Sequence, residues 1–150
     1  TTKKQAKQYI ENYLEKYSGV REYMKNVVEK AKADGFVETI FGRRRYLPEL
    51  KSSNFNLRAF GERVAKNMPI QGAAADIIKI AMINVDRRLT KENLPARLIM
   101  QVHDEVVINT LNTEIESVKR IVKEAMESVA VLRVPLIAEV NSASNWLDAH

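Results

Sequence analysis

Apolar residues recur along the chain with two different periods. Near the N-terminus the spacing is helical: Ala6, Ile10, Tyr13, Leu14 and Tyr17 fall on one face. Val20, Tyr23, Met24, Val27, Val28 and Ala31 mark a second helix. Gly19 and Gly35 punctuate these runs, at points that suit the left-handed residue that commonly ends a helix. Phe36 to Phe41 and Arg45 to Leu47 then predict a hairpin that turns at Gly42-Arg43 and is closed by Pro48. Ser53 or Asn54 is placed to cap a long helix running towards Leu89. Pro69 lacks a backbone donor and crowds the preceding turn, which predicts a kink or a break. Beyond it, Ile77, Ile78, Ala81, Met82 and Val85 form an apolar face suited to packing on a sheet.

The period then shortens. Leu98 to Val102 and Val106 to Ile108 read as short buried strands, so the polar residues between them should form the turn of a hairpin. Thr113-Glu114-Ile115-Glu116 has the form of a capping box, opening a helix with Ile115, Val118, Ile121, Val122, Ala125, Met126 and Val129 on one face. Leu136 to Val140, after Pro135, predicts a last strand. The order implies an α+β class: a mainly antiparallel sheet covered by helices. No internal repeat, low-complexity tract or clear linker interrupts it.

Composition narrows the class. With 150 residues, 45% of them hydrophobic, the chain suits one domain with a reasonable core. The absence of Cys removes disulfides and thiolate metal sites, and two His argue against a His-built zinc centre. No apolar run is long enough for a bilayer and no secretory signal is visible, so no membrane partner and a soluble, cytoplasmic location are expected. The net charge of +5 is uneven: residues 1–66 carry 15 Lys and Arg against 8 acids, and residues 67–150 carry 9 against 11. Such a basic half favours a polyanionic partner, because Lys and Arg that neutralise phosphates release counterions. Arg43, Arg44 and Arg45, with Lys51, Arg58 and Lys66 nearby in sequence, are candidate phosphate contacts or a solvated face.

Two constellations carry candidate chemistry. The run Gln101-Val102-His103-Asp104-Glu105-Val106-Val107 sets three polar residues between apolar strands. Asp104 could serve the turn alone, since Asp tolerates unusual backbone angles. Alternatively it is a carboxylate held on a rigid hairpin to bind Mg²⁺, as phosphoryl and nucleotidyl transfer require. The triplet alone leaves both readings open. Upstream, Arg63, Asn67 and Gln71 are spaced by four and share a helix face if the Pro69 distortion is small. Each can donate hydrogen bonds, and every base pair presents minor-groove acceptors, so such a row can grip any duplex without reading its sequence. A polar stripe facing solvent has the same spacing.

The stretch Glu62-Arg63-Val64-Ala65-Lys66-Asn67-Met68-Pro69-Ile70-Gln71-Gly72-Ala73-Ala74-Ala75-Asp76-Ile77-Ile78-Lys79, the His-Asp-Glu hairpin, Phe41-Gly42-Arg43-Arg44-Arg45-Tyr46-Leu47-Pro48 and the terminal Asn145-Trp146 together resemble the C-terminal part of a family A DNA polymerase. The resemblance runs from about Lys3 to the end. It implies an incomplete polymerase palm with the end of the fingers: residues 1–52 for the fingers part (two helices and a basic hairpin), and residues 53–150 for the C-terminal half of a palm-type sheet and its helices. It also implies minor-groove contacts at Arg63, Asn67 and Gln71, and His103 near the primer terminus. Asp104 becomes a metal-binding aspartate, with Glu105 as an accessory carboxylate.

The implied activity is template-dependent nucleotidyl transfer with two Mg²⁺ ions, in DNA replication and repair. Primer-template DNA and deoxynucleoside triphosphates are the implied partners. The family's other metal aspartate and the fingers helix that holds the incoming nucleotide have no counterpart motif here. Asp76 and Asp86 lie in helical context and are poor substitutes. The 150 residues alone are therefore expected to be inactive, to need an upstream polymerase segment, and to self-associate through an unpaired sheet edge. A non-catalytic DNA-binding module and one half of a split polymerase remain as alternatives. Single-subunit RNA polymerases share a His-Asp hairpin, but the Gln71-Gly72-Ala73 context favours the DNA enzyme.

Overall fold

The computed structural model describes residues 1–149, which divide into two compact units, one up to Ala73 and one from Ala74 onward, each described by itself below. The first unit opens with α1 (Lys3–Lys16), whose N-terminus carries a reciprocal capping box between Thr2 and Gln5. α2 (Ser18–Asp34) follows almost directly. The boundary between them falls at Tyr17, and Gly19 lies inside α2 rather than ending a helix. Gly35 does end one: its φ of 80° is left-handed, and its N–H donates to the Ala31 carbonyl.

The basic hairpin is shorter than its apolar pattern suggests. β1 (Phe36–Glu38) pairs antiparallel with β2 (Arg44–Tyr46), and a five-residue connection replaces a tight turn. Thr39 organises that connection. Its buried hydroxyl accepts from the backbone N–H of Phe41 and of Arg43, and Gly42 adopts a φ of 80°. A 3-10 turn, Pro48–Lys51, leads to the long helix. The core of this unit gathers Val28, Ala31, Val37, Leu47, Leu50 and Ala65, with Val27, Val64 and Met68 against it.

α3 spans Phe55–Lys91. Asn54 is its cap, its side-chain oxygen accepting from the N–H groups of Asn56 and Leu57. Of the kink or break expected at Pro69, the break is absent: the helix runs through it. A helix-interior proline costs about 3 kcal/mol, so packing on both sides must hold the helix together. Gly61, four residues before the buried Ala65, lies against Leu50 and Glu49. Gly72 lies against Thr39 and Arg43, and its carbonyl accepts from Arg43 Nη2 at 3.0 Å. Tertiary context thus overrides the local preference.

The second unit takes the remainder of α3, which ends with Asn93 at a φ of 52°, Leu94 N–H donating to the Leu89 carbonyl, and Pro95 beyond. β3 (Ala96–Val102) and β4 (Glu105–Thr110) form an antiparallel hairpin. The register slips by one residue between Leu98 and Met100, leaving Ile99 as a bulge. Because paired side chains share a face and successive residues alternate, this slip moves Met100 and Val102 to the face of Val107 and Glu105, opposite Leu98 and Ile108.

α4 (Ile115–Glu127) buries Val118, Ile121, Val122 and Ala125 against Val85 and Leu89 of α3, with Leu98, Val106 and Ile108 of the sheet packed on that cluster. The expected capping box does not form. A 3-10 turn, Asn112–Glu114, leads into α4, and Glu114 makes no side-chain cap. Nor does Leu136 to Val140 form a strand. Leu136, Ala138 and Val140 are half-buried while Ile137 and Glu139 are exposed, the alternation of a strand, but β3 and β4 pair only with each other. Lacking a ladder partner, the segment is held locally, Ala138 N–H donating to Glu127 Oε1 at 3.0 Å. α5 (Trp146–Ala149) completes the described chain. No helix among the described residues is long and apolar enough to cross a membrane.

Candidate functional site

The sequence-derived candidates fall into two sets, one in each unit. In the first, Arg63, Asn67 and Gln71 form one exposed stripe along α3, opposite the face that buries Gly61 and Ala65. Because the helix is unbroken at Pro69, the i, i+4 spacing is preserved across it. The Arg63 guanidinium lies 5.9 Å from the Phe60 ring centroid, which steadies it without consuming its donors. No hydrogen bond among the described residues engages the side chains of Asn67 or Gln71. The stripe therefore presents a row of available donors.

The basic candidates are not equivalent. Arg43 is committed to the Gly72 carbonyl, and Arg44 donates to Glu38 at 3.2 Å while its guanidinium sits 4.4 Å from the Phe36 ring centroid. Arg58 donates to the Ser52 carbonyl at 3.0 Å and lies over Phe55. Lys66 is half-buried and contributes to the positive field that, after the direct Lys32 hydrogen bond, holds Glu62 below the ordinary carboxylate range. Arg45 and Lys51 are exposed, with no hydrogen bond or ion pair among the described residues. Three of the six cations thus have structural work holding the fold, Lys66 is half-buried beside Glu62, and Arg45 and Lys51 are exposed and unengaged among the described residues.

In the second unit His103 and Asp104 are the two turn residues of the β3-β4 hairpin, while Glu105 starts β4 and pairs with Val102. The left-handed backbone belongs to His103, whose φ is 49°, and not to Asp104. Left-handed angles are uncommon for residues with a side chain, though His is among the enriched types. Asp104 therefore does not supply the positive φ for which Asp would be chosen in a turn. Its side chain is exposed, and no hydrogen bond or ion pair among the described residues engages it. Glu105 is half-buried.

Gln101, absent from the sequence-derived candidates although it stands in the same run, donates through Nε2 to the His103 carbonyl at 2.6 Å. Nothing in its spacing marked it. Only the fold of the turn brings its amide to that oxygen.

Among the described residues no three His, Asp or Glu side chains gather as metal ligands. Mg²⁺ usually takes one or two protein carboxylates and fills its octahedron with water and substrate phosphates. Exposed Asp104 on a paired hairpin fits that partial donor role, with Glu105 beside it, but the two do not make a complete centre.

The sequence model for DNA polymerase family A matches residues 1–148. DNA polymerase I of Bacillus caldotenax is 50% identical over 148 residues, covering 99% of this chain and 17% of that protein. DNA polymerase I of Bacillus subtilis is 49% identical over the same length, with the same shares covered. Among solved structures, the POL domain of Pol1 from M. smegmatis, in complex with DNA primer-template and dNTP, is similar at a TM-score of 0.87 and 46% identity, over 90% of this chain and 24% of that one. The chain thus spans 17% of the length of these curated relatives.

Proposed function

The chain belongs to DNA polymerase family A, and from that premise we propose that it is the C-terminal part of a DNA-directed DNA polymerase that extends a primer from deoxynucleoside triphosphates. Residues 1–52 are the end of the fingers and residues 53–150 the second part of the palm. The observation that carries the catalytic part of this reading is the Asp104 carboxylate: exposed, unengaged among the described residues, and held at the turn of a paired hairpin without serving the turn's own positive φ.

Asp104 acts as one metal-binding carboxylate and Glu105 as its accessory. Mg²⁺ held there would supply Lewis-acid activation of the primer 3′-hydroxyl and charge stabilisation for the leaving pyrophosphate. The chain's own contribution is positional. The β3-β4 ladder fixes where the carboxylates stand, and His103 faces the primer terminus. Arg63, Asn67 and Gln71 donate to minor-groove acceptors that every correct base pair shares, so the duplex is gripped regardless of sequence. Arg45 and Lys51 add phosphate contacts. Since Asp104 and Glu105 do not complete a metal centre, these 150 residues need carboxylates from another polymerase segment to be active.

The test is Asp104→Ala in a polymerase that contains this sequence. Primer extension should fall by at least about a hundredfold, the scale on which removal of one transition-state-stabilising group acts. Unchanged extension would sink the assignment. Mixing this chain with a separately made upstream segment addresses the split-enzyme form of the same reading: extension only in the mixture identifies a complementing half, and extension by the chain alone refutes the incomplete centre.

A further inference from the structure

We propose that Gln101 is a positioning residue for Asp104, acting as a brace that locks the central peptide of the β3-β4 turn. This rests on the role assigned to Asp104 above. In the turn Val102-His103-Asp104-Glu105, the closing pair is Val102 and Glu105, so the central peptide is the one joining His103 to Asp104. Its carbonyl is the His103 oxygen that accepts from Gln101 Nε2 at 2.6 Å.

Two-residue hairpin turns come in two primed forms that share a positive φ at the first central residue and differ by a flip of this peptide. The flip changes the φ of the second central residue, and with it the direction of that residue's Cα–Cβ bond. Here His103 has a φ of 49° and Asp104 lacks a positive φ. One of the two peptide orientations has therefore been selected, at a position where His rather than Gly must bear the left-handed angle. Backbone sterics do not make this selection, because the form with a positive φ at the first central residue alone ordinarily takes Gly there. A hydrogen bond from a side chain two residues upstream supplies it, because the carbonyl can meet the Gln101 amide in only one orientation.

The bulge at Ile99 contributes to the same geometry. It sets the register of Gln101 against Val106, and so the start of the turn relative to the strand. Gln101 is itself exposed and takes no part in the buried core, so its replacement leaves the fold intact. Its amide is spent on the turn, which holds Asp104 in one direction before any ligand arrives.

The experiment is made on the full polymerase that contains this sequence, with Gln101→Met, which keeps length and removes the donor, and Gln101→Lys, which keeps a donor. The first readout is the orientation of the His103-Asp104 peptide in crystals of each variant. The second is kcat for primer extension alongside the Kd for primer-template. For Gln101→Met the peptide is expected flipped or mixed, with kcat down by at least about tenfold, against the ~100-fold that a 1 Å misplacement can cost. The Kd for primer-template stays within about twofold. For Gln101→Lys, the peptide orientation stays parental. A parental peptide orientation in Gln101→Met overturns the proposal whatever the activity does, as does a moved peptide with unchanged kcat, or a moved peptide in Gln101→Lys. Failure of the Asp104 reading would appear separately, as retained extension in Asp104→Ala with the peptide orientation still dependent on Gln101.

Discussion

Two glycines of the first unit show how much a single hydrogen atom decides. A Cβ added at Gly72 would meet Thr39 Cγ2 at 2.7 Å and Arg43 Nη2 at 3.3 Å. Thr39 cannot retreat, because its hydroxyl organises the hairpin connection. Gly72→Ala should therefore destabilise by about 1–2 kcal/mol, the strain of overpacking exceeding the helix propensity gained. Gly19 lies inside α2 with nothing within 4 Å, and Gly19→Ala should stabilise by about 0.5–1 kcal/mol through propensity alone. Denaturant midpoints at unchanged m-value check both. The Gly72 position could have been suspected from its place in a helical run. Its reason could not, since the atoms that crowd it come from a hairpin about thirty residues earlier in the chain.

At the scale of elements, the second unit is fastened by charge as well as by its apolar cluster. Arg88 near the end of α3 donates to Glu124 of α4 at 2.8 Å, and Arg120 lies within 3.8 Å of Glu92. The hydrogen bond from Arg88 holds the Glu124 carboxyl below its ordinary value of 4.5. In the first unit the Lys32 ammonium, 2.6 Å from Glu62, does the same to that carboxyl. A carboxyl with a lowered folded pKa binds fewer protons folded than unfolded. Its stabilisation is therefore complete above the unfolded value and is lost as pH falls through the folded one. Stability should decline on acidification below about pH 4.5, and Arg88→Gln should flatten that decline with a correspondingly modest cost at neutral pH, since Glu124 is exposed and Arg88 only half-buried. Melting temperatures across an acid series measure it, and an unaltered slope in Arg88→Gln would remove the pair from the account.

For the whole molecule, charge distribution and family membership lead to the same expectation. The first 66 residues hold 15 of the 24 basic side chains, and several of these, Arg43, Arg44 and Arg58 among them, are bound to the protein itself. Binding of primer-template DNA should weaken steeply with salt. Arg45→Ala and Lys51→Ala should each reduce the slope of log Kobs against log[salt] by about 1, as loss of a phosphate contact does. Arg63→Ala should weaken binding with a smaller change in slope, because its proposed partner is a base edge rather than a phosphate. Fluorescence anisotropy titrations at several salt concentrations separate the two. A full slope change in Arg63→Ala would move it from the minor groove to the backbone.

The sequence by itself determined the four longer helices, the two hairpins, the α+β class and the family, because periodicity, capping residues and motif order are properties of neighbouring positions. Asn54 as a cap and Gly35 as a left-handed terminus are local facts of that kind, and so is the i, i+4 stripe of Arg63, Asn67 and Gln71. Tertiary structure decided whatever depends on residues distant along the chain. Pro69 does not break its helix because Leu50 on one side and Thr39 and Arg43 on the other hold the turns around it. Leu136 to Val140 has the alternation of a strand and no partner strand among the described residues to make it one. The positive φ fell to His103 rather than Asp104, and Gln101 acquired a role, once two strands and a bulge set the register of the turn. Local preference is written residue by residue, but whether it is obeyed depends on which distant surface packs against it.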